Sequence, residues 1–526
     1  MFTTVSFKSD FFEIAKQIEI FTTLYKELNM NYVDEVTPAT LMDKAINGML
    51  EDLDPYTVYW NEQEVEDGRI QNSGTYTGIG ASVKTTKDKI TIIEPFEGYP
   101  ADKAGLKAGD ELVKIGTTPV AGFDGDAGEL LKGSKGSSVE ITYNRQGKTQ
   151  TTMLKREKVG IEAVPFYKLL DDNIGYIVLS KFNRKTTQET KSALEDLKLQ
   201  GANKLILDLR GNPGGLLNEA INVVNLFVNK GEVITTTKSV IEKYNKVYKT
   251  QFDPVDTEIP LVVLVNGRSA SASEIVSGGL QDLDRAVVVG ARSFGKGLVQ
   301  RPKKLTYGTQ LKVTISRYYT PSGRCIQALD YWNRDENGDP IRVDTEEYNE
   351  FKTKGGRTVY DGGGIMPDVE VETAKFSPIT TALLKDMAIF DYATQYYYSH
   401  QLEDYNTFEF TDSDFQNFVT YLKKNGFEYE TETEKEFAEA LRRAEDDDLK
   451  DEIQQGYNQL MTSIDKAKEK ALVSKKAEIK SLLSDEILKR YFYREGMYNY
   501  HLNHNPEILE AVSVLTEGNR YEKILK

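Results

Sequence analysis

The chain has 526 residues, of which 39% are hydrophobic and 10% aromatic, enough for roughly three or four packed domains. A formal net charge of −16 argues against a nucleic-acid-binding protein, which would present a basic surface to phosphate. The single cysteine, Cys325, excludes an intrachain disulfide and nearly excludes a Cys/His zinc site. No apolar run reaches about 18 residues, so we expect no membrane-spanning segment.

Residues 1–73 are predicted to form an N-terminal helical region. Apolar residues recur near helical spacing between about Asp10 and Trp60, and a helix from Thr40 ends before the turn signal Asp54-Pro55. The first residues lack a basic start followed by an apolar stretch, so no signal peptide is expected. Nothing in this region indicates chemistry.

Residues 74–158 have the pattern of a small β-rich domain, because short alternating runs are separated by glycine-rich turns. The segment Tyr76-Thr-Gly-Ile-Gly80 opens this domain. A Gly-x-Gly loop before a strand can hold a carboxylate with its backbone N–H groups while a peptide adds to the sheet as a strand. A lone Gly-x-Gly pattern is also typical of an ordinary turn.

Residues 159–375 alternate strands with helices, which predicts βα units around a mostly parallel sheet. The strand runs are continuously apolar, as strands buried on both faces are. The predicted strands are Ile174–Leu179, Lys204–Leu209, Leu261–Val265 and Ala286–Val289, and the predicted helices are Thr186–Gln200, Gly215–Asn229 and Ser271–Asp282.

Residues 376–526 are predicted to form a C-terminal helical region. No proline occurs between Pro378 and Pro506, and apolar residues keep helical spacing. The acidic run Glu445-Asp-Asp-Asp448 is typical of a solvated helix face.

Ser271 is a candidate nucleophile. It follows a buried strand and opens a helix, whose unpaired N–H groups and positive dipole suit a developing oxyanion. Ser271-Ala-Ser-Glu274 also fits a capping box, so a purely structural cap is the alternative. On composition alone, Ser269 and Ser273 are further candidates.

Lys296 is the candidate general base for Ser271. The chain has three histidines, and all lie in its last quarter, so no imidazole is near Ser271 in the sequence. A lysine base must be neutral, and burial would have to lower its pKa from about 10.4. A surface lysine is the alternative. Gln300 lies four residues further on and could orient the amine, or could be a buried structural side chain.

Two glycine-containing loops complete the set of candidates. Asp208-Leu-Arg-Gly-Asn-Pro-Gly-Gly215 connects a buried strand to a helix, and an N–H of Gly214 or Gly215 could bind an oxyanion, with a tight structural turn as the alternative. Gly290-Ala-Arg-Ser-Phe-Gly-Lys-Gly297 resembles a phosphate-binding P-loop. It has glycine where the Mg²⁺-binding hydroxyl should be, so nucleotide binding is disfavoured.

Taken together, these motifs resemble the C-terminal processing peptidases, a PDZ-containing family of tail-specific serine proteases with a Ser–Lys dyad. The resemblance extends over about residues 10–372. The segments that carry it, in order, are Leu53-Asp-Pro-Tyr, Tyr76-Thr-Gly-Ile-Gly, Pro100-Ala-Asp-Lys-Ala-Gly-Leu-Lys-Ala-Gly-Asp110, Asp208–Gly215, Ser269-Ala-Ser-Ala-Ser-Glu-Ile275, Phe294-Gly-Lys-Gly-Leu-Val-Gln300, Tyr319-Thr-Pro-Ser-Gly323 and Gly363-Gly-Ile-Met-Pro-Asp368.

The resemblance implies an α/β multidomain protein with a protease core (159–375), an inserted PDZ domain (74–158) and helical N- and C-terminal regions. Carried over by motif, Ser271 is the nucleophile, Lys296 the general base and Gln300 the residue that positions it. The oxyanion hole would use the N–H of Ala272 and that of Gly214 or Gly215. The PDZ residues that would bind the substrate carboxylate are Gly78, Ile79, Gly80 and Ala81.

The implied function is a serine endopeptidase that forms an acyl-enzyme with protein substrates recognised by their free C-termini. No metal or cofactor is implied. Family members are usually exported, so the expected location is the periplasm or cell envelope, and the C-terminal helical region is open to a role in homo-oligomerisation or partner binding. The alternative function is a non-catalytic PDZ scaffold that binds peptides without cleaving them.

Overall fold

The computed structural model describes residues 10–86, 88–123, 125–334, 340–342, 348–372 and 376–526. The N-terminal region contains a strand that the helical periodicity did not predict. Val58-Tyr-Trp60 follows the Asp54-Pro55 turn and pairs with a strand of the region 159–375, since β-branched and aromatic residues suit a sheet. The elements are α1 (Asp10–Asn31), α2 (Pro38–Glu51), β1 (Val58–Trp60) and α3 (Glu62–Ser73).

The β-rich domain forms a sheet in the order β3-β4-β5-β7-β8, with β6 paired to β5. The chain enters and leaves this domain through one antiparallel pair, β2 with β9, in which Thr75 lies opposite Gly160. The elements are β2 (Thr75–Gly78), β3 (Ala81–Thr85), β4 (Ile90–Pro95), α4 (Pro100–Lys103), β5 (Glu111–Ile115), β6 (Thr118–Pro119), β7 (Ser138–Arg145), β8 (Lys148–Lys155) and β9 (Glu157–Gly160).

Residues 159–375, called the core below, contain the alternating strands and helices that their sequence predicts. Residues 376–526 are helical, also as predicted. The core elements are β10 (Phe166–Leu169), β11 (Ile174–Val178), α5 (Thr186–Leu199), β12 (Lys204–Asp208), α6 (Leu217–Asn225), β13 (Val233–Lys238), β14 (Lys246–Lys249), β15 (Leu261–Val265), α7 (Ala272–Asp282), β16 (Val287–Gly290), β17 (Leu298–Lys304), β18 (Gln310–Tyr319), β19 (Leu329–Arg334), β20 (Pro340–Arg342), β21 (Glu350–Lys352), β22 (Thr358–Tyr360) and β23 (Val369–Glu370). The C-terminal helices are α8 (Pro378–Lys385), α9 (Ala388–Ser399), α10 (Asp412–Lys424), α11 (Glu432–Asp446), α12 (Lys450–Ser474), α13 (Lys476–His504), α14 (Pro506–Thr516) and α15 (Arg520–Leu525).

The central sheet has the order β10-β11-β12-β15-β16-β23 and is parallel from β11 to β23, with β10 antiparallel at its edge. This confirms the predicted α/β fold class. Helices α5, α6 and α7 cover one face of the sheet. The other face is covered by α14, whose Ile508, Ala511 and Val514 pack against the strands. The C-terminal helical region is therefore part of the core's own packing.

A second sheet, which the sequence pattern did not predict, carries the other half of the candidate site. Its order is β1-β18-β13-β14, and β17 pairs with β18. All of these pairs are antiparallel. Strand β17 begins at Leu298, two residues after Lys296, so the lysine loop joins the two sheets.

Helix α13 bends where it contacts the β-rich domain. Tyr493 has φ 56° within this helix, a conformation that a non-glycine residue adopts only when its surroundings hold it there. The Tyr493 hydroxyl donates to Asp102 at 2.7 Å, and Arg494 makes two 2.6 Å hydrogen bonds with Glu94. The β-rich domain is therefore docked on the C-terminal region by polar side chains. Across the described ranges, we find no helix with the length and apolarity needed to cross a membrane.

Candidate active site

Ser271 lies at the sharp turn between β15 and α7, half-buried at the helix N-terminus. Its backbone has φ 56° and ψ −110°, a conformation that costs a non-glycine residue on the order of 1–3 kcal/mol. Glu274 Oε2 accepts the Ser271 N–H at 2.7 Å, and the Glu274 N–H donates to the Ser271 carbonyl at 2.9 Å. Ser271 and Glu274 thus form the capping box that the sequence pattern predicted at the start of α7.

The neighbouring serines have structural contacts instead. Ser269 and Ser273 are fully buried. The Ser269 hydroxyl donates to the Leu209 carbonyl at 2.8 Å, and the Ser273 hydroxyl donates to the Asn212 carbonyl at 2.9 Å. Both therefore fasten the turn at Ser271 to the loop that follows β12. Of the three serine candidates, Ser271 is the one that lines the large cavity described below.

Lys296 lies in the loop between β16 and β17 and lines the same cavity as Ser271. Burial, assisted by the positive charge of Lys312, lowers the pKa of the Lys296 amine to about 8, against the opposing charges of Glu274 and Asp54. A substantial fraction of this amine is therefore neutral near pH 8, which is the state that a general base needs.

The Lys296 amine rests on an aromatic ring in this structure. Its Nζ lies 4.0 Å from the centroid of Tyr56. Within the described part of the chain, Nζ forms no hydrogen bond with Ser271 or Gln300. Gln300 lines the cavity, but its Nε2 donates to Thr314 Oγ1 at 3.2 Å. The fold thus gathers the three predicted side chains around one cavity, and the contacts among them stay predictions.

Glu274 connects the two halves of the site and was not recognised from the sequence. It is fully buried, and burial raises its pKa, while the hydrogen bonds that it accepts act in the opposite direction. Its Oε2 accepts the N–H groups of both Ser271 (2.7 Å) and Lys296 (2.9 Å). Its Oε1 accepts the Gly295 N–H and the Ser293 hydroxyl, both at 2.6 Å. The capping-box pattern predicted the first of these contacts alone.

These contacts also account for the P-loop-like segment. A phosphate-binding loop needs backbone N–H groups that point at the ligand. Here the N–H groups of Gly295 and Lys296 donate to Glu274. These two N–H groups are therefore occupied by a carboxylate of the protein itself and do not point at a phosphate site. The loop instead fixes the backbone of Lys296.

The glycine loop after β12 lies directly beside the first turn of α7. Gly214 has φ +97°, and a Cβ there would lie 2.9 Å from the Ala272 nitrogen. The Gly214 N–H donates to Asn212 Oδ1 at 2.8 Å. In the ranges that the structure describes, the N–H groups of Ala272 and Gly215 have no protein acceptor. Of the two glycines left open by the sequence, Gly215 keeps a free donor and Gly214 provides close approach.

The cavity has a volume of about 1400 Å³ and is walled on one side by the C-terminal region. Met497, His501 and His504 line it, although they are more than 200 residues from Ser271 in the sequence. His501 Nε2 lies 2.8 Å from Asp485 Oδ1, and within the described residues it has no hydrogen bond to Ser271. Two of the three histidines therefore reach the wall of the cavity from the C-terminal region, although none is near Ser271 in the sequence.

The predicted carboxylate-binding loop is separate from this cavity. Ile79 is buried, and Gly80 has φ +73°, where a Cβ would lie 2.3 Å from Tyr99. Burial raises the pKa of Tyr76, and the backbone N–H groups of Gly80 and Ala81 act in the opposite direction. The Tyr76 ring also lies close to Gly78. Gly78, Gly80 and Ala81 thus lie close to this tyrosine, and none of the four loop residues lines the cavity that contains Ser271.

Four segments of the chain match described protein families. Residues 4–64 match the family described as the activating protease CtpB N-terminal domain, and residues 77–155 match the PDZ domain. Residues 173–331 match peptidase family S41, and residues 379–515 match a probable PDZ-protease C-terminal helical domain. The last match covers a region in which the sequence motifs showed no resemblance.

Two relatives each match more than half of this chain. A carboxy-terminal-processing protease of Bartonella bacilliformis is 36% identical over 326 residues, which are 60% of this chain and 73% of that protein. Carboxy-terminal processing protease CtpA of Bacillus subtilis is 35% identical over 313 residues, which are 57% of this chain and 65% of that protein, slightly less than two thirds. The solved structure of photosystem II D1 C-terminal processing protease is 28% identical, with a TM-score of 0.37 over 67% of this chain and 92% of that chain.

Proposed function

This chain belongs to the carboxy-terminal processing serine proteases of peptidase family S41, and from that premise we propose that it cleaves proteins through a Ser271–Lys296 dyad. The observation that carries this proposal is the contact of Glu274 Oε2 with the N–H groups of both residues. One buried carboxylate oxygen thereby fixes the backbone of the nucleophile and that of the base on the same cavity.

In the proposed reaction, the neutral Lys296 amine takes the Ser271 proton as Oγ attacks the scissile carbonyl carbon. The N–H groups of Ala272 and Gly215 hold the oxyanion, because among the described residues these two donors have no protein acceptor. Lys296 then donates the proton to the departing amide nitrogen, the C–N bond breaks, and an acyl-enzyme remains. Lys296 next deprotonates a water molecule that attacks the acyl carbon, and Ser271 leaves with that proton.

Substrate selection is proposed to occur at the PDZ domain. The backbone of Gly78, Ile79, Gly80 and Ala81 would bind the C-terminal carboxylate of a substrate, while the chain upstream of it reaches the catalytic cavity. This loop lies outside the cavity, so the recognised tail and the cleaved bond are different parts of the substrate. A peptide whose C-terminus is amidated should therefore be cleaved less efficiently than the same peptide with a free carboxylate.

The test is cleavage of a long peptide with a free C-terminus by the wild type and four variants. We expect Ser271→Ala and Lys296→Ala each to lower kcat/KM by at least about 10³-fold. Ser273→Ala and His501→Ala should keep most of the activity, because their side chains have other partners. Substantial cleavage by Lys296→Ala together with a dead His501→Ala would overturn the dyad. Saturable binding by the wild type without turnover would favour the PDZ scaffold instead.

Location and assembly are also proposals. The family resemblance favours export to the periplasm or cell envelope, which cell fractionation with an antibody against this protein would test.

For assembly, we propose a homo-oligomer formed through the C-terminal helical region. Helix α14 is occupied by the central sheet, so the contact would have to use other helices of this region. Sedimentation of the full chain and of chains altered on those helices would test it.

A further inference from the structure

The turn between α2 and β1, Asp54-Pro-Tyr-Thr57, is fixed by its own aspartate. Asp54 Oδ1 accepts the N–H groups of Tyr56 and Thr57 at 2.9 and 3.0 Å, and Oδ2 accepts the Thr57 hydroxyl at 2.8 Å. Pro55 restricts the backbone further. A side chain on this turn, such as that of Tyr56, therefore has a defined direction.

This turn is docked on the strands that carry the catalytic lysine loop. The Thr314 N–H donates to Thr57 Oγ1, and the Thr314 hydroxyl donates to Asp54 Oδ1, both at 3.1 Å. The same hydroxyl accepts the Gln300 amide at 3.2 Å. Strand β1 then continues the contact by pairing with β18. A segment from the N-terminal region is thus joined by hydrogen bonds to the residue predicted to orient Lys296.

The ring of Tyr56 is held against the Lys296 amine. It makes an edge-to-face contact with Tyr331 at 6.0 Å, and the two hydroxyls are 3.5 Å apart. The same ring also contacts Lys296, whose Nζ lies 4.0 Å from the ring centroid. An ammonium group is attracted by the face of an aromatic ring, whereas a neutral amine is not attracted in this way. The ring therefore favours the amine while it carries its proton.

We propose that Tyr56 is a positioning residue for Lys296, whose ring holds the protonated amine within the catalytic cavity when it is not bonded to Ser271. This inference rests on the proposed function. A buried ammonium is usually held by a carboxylate, and here the Tyr56 ring takes that place. A cation–π contact is weak, so the amine can leave the ring once it has lost its proton. The other charged or titratable groups that face the lysine are Lys312, Glu274, Asp54 and Tyr318.

The first test compares Tyr56→Phe with Tyr56→Leu in the full chain. Phenylalanine keeps the ring, so its kcat/KM and its pH profile should stay close to those of the wild type. Leucine keeps an apolar cover without the ring, so the acid limb of kcat/KM should move to lower pH by about 0.5–1 unit. Its kcat above that limb should fall about tenfold, because the amine is less well placed. A merely structural role would lower stability and leave the acid limb unmoved.

A second series of variants tests the same role in case Tyr56→Leu does not fold. Phenylalanine and its progressively fluorinated analogues are incorporated at position 56, which weakens the attraction of the ring face while nearly preserving its shape. The acid limb should move stepwise to lower pH with fluorination. If the limbs of the leucine and fluorinated proteins superimpose on that of Tyr56→Phe, the positioning role is overturned. An inactive Lys296→Ala in the same assay would show that the dyad survives this failure.

Discussion

The two sides of the catalytic cavity are held in different ways. On the serine side, the backbone of Ser271 is strained and its N–H and carbonyl are both hydrogen-bonded to Glu274. On the lysine side, the backbone of Lys296 is fixed by the same carboxylate, while its amine has a ring contact and, within the described residues, no hydrogen bond. The comparison teaches that the main chain of this site is preorganised, whereas the amine that we propose as the proton carrier is left movable.

Among changes that keep both Ser271 and Lys296, the largest effect should come from removing the group that the two sides share. Glu274→Ala leaves several buried donors without an acceptor, which should lower the free energy of unfolding by about 3 kcal/mol. It should also lower kcat at least about 100-fold, because both backbones lose their common anchor. Peptide cleavage and thermal unfolding measure the two effects.

Glu434→Ala is the matched control. Glu434 is also a buried glutamate at the third position of a helix, where it accepts the Thr431 N–H at 2.6 Å, but it lies in the C-terminal region. Its loss should cost about 1 kcal/mol and leave kcat unchanged. Equal kcat values in the two variants would contradict the shared role of Glu274.

A smaller effect should come from crowding the serine side alone. In Gly214→Ala, the new Cβ would meet the Ala270 carbonyl oxygen at 2.7 Å in a backbone with φ +97°. We expect a loss of about 2–3 kcal/mol in stability and about tenfold or more in kcat, since the turn at Ser271 must move. Gly211→Ala is the control, because Gly211 has φ +70° but open space around it, so it should cost about 1 kcal/mol with near-normal kcat. Similar kcat values would show that the loop does not constrain the serine.

The smallest effect should appear on the lysine side as a change in pH dependence. In the proposed dyad the neutral amine is the reactive form, so kcat/KM should rise with pH and level off above the Lys296 pKa of about 8. Lys312 lowers that pKa, so Lys312→Gln should raise it and move the acid limb to higher pH by roughly 0.3–1 unit. Lys304→Gln, at an exposed position of the neighbouring strand, should leave the limb in place. A shift to lower pH in Lys312→Gln would refute this electrostatic picture.

Local sequence patterns predicted those parts of the fold that depend on neighbouring residues. The apolar runs gave β12 and β15, and the helix predicted to begin at Ser271 begins one residue later, at Ala272. The helix predicted over Gly215–Asn229 is shorter at both ends: it begins at Leu217, because Gly215 has a positive φ, and it ends at Asn225. Residues within a few positions of one another decide these features.

The features that were missed depend on residues far apart in the chain. The pairing of Val58 with Lys312 and the coverage of the sheet by α14 join segments hundreds of residues apart, which no local periodicity records. The same is true of Glu274, whose capping pattern was visible while its contacts with the lysine loop were not. The position of His501 on the cavity wall also follows only from the folded chain.

The antiparallel pair of β2 and β9 has a consequence for how such proteins diversify. Thr75 and Gly160 lie opposite each other in this pair, so the chain enters and leaves the PDZ domain at neighbouring points. Another domain whose termini are adjacent could replace the PDZ domain at this junction without lengthening or shifting any strand of the central sheet. Such an exchange would also have to replace the contacts of Glu94 and Asp102 with α13, which are the second attachment of this domain.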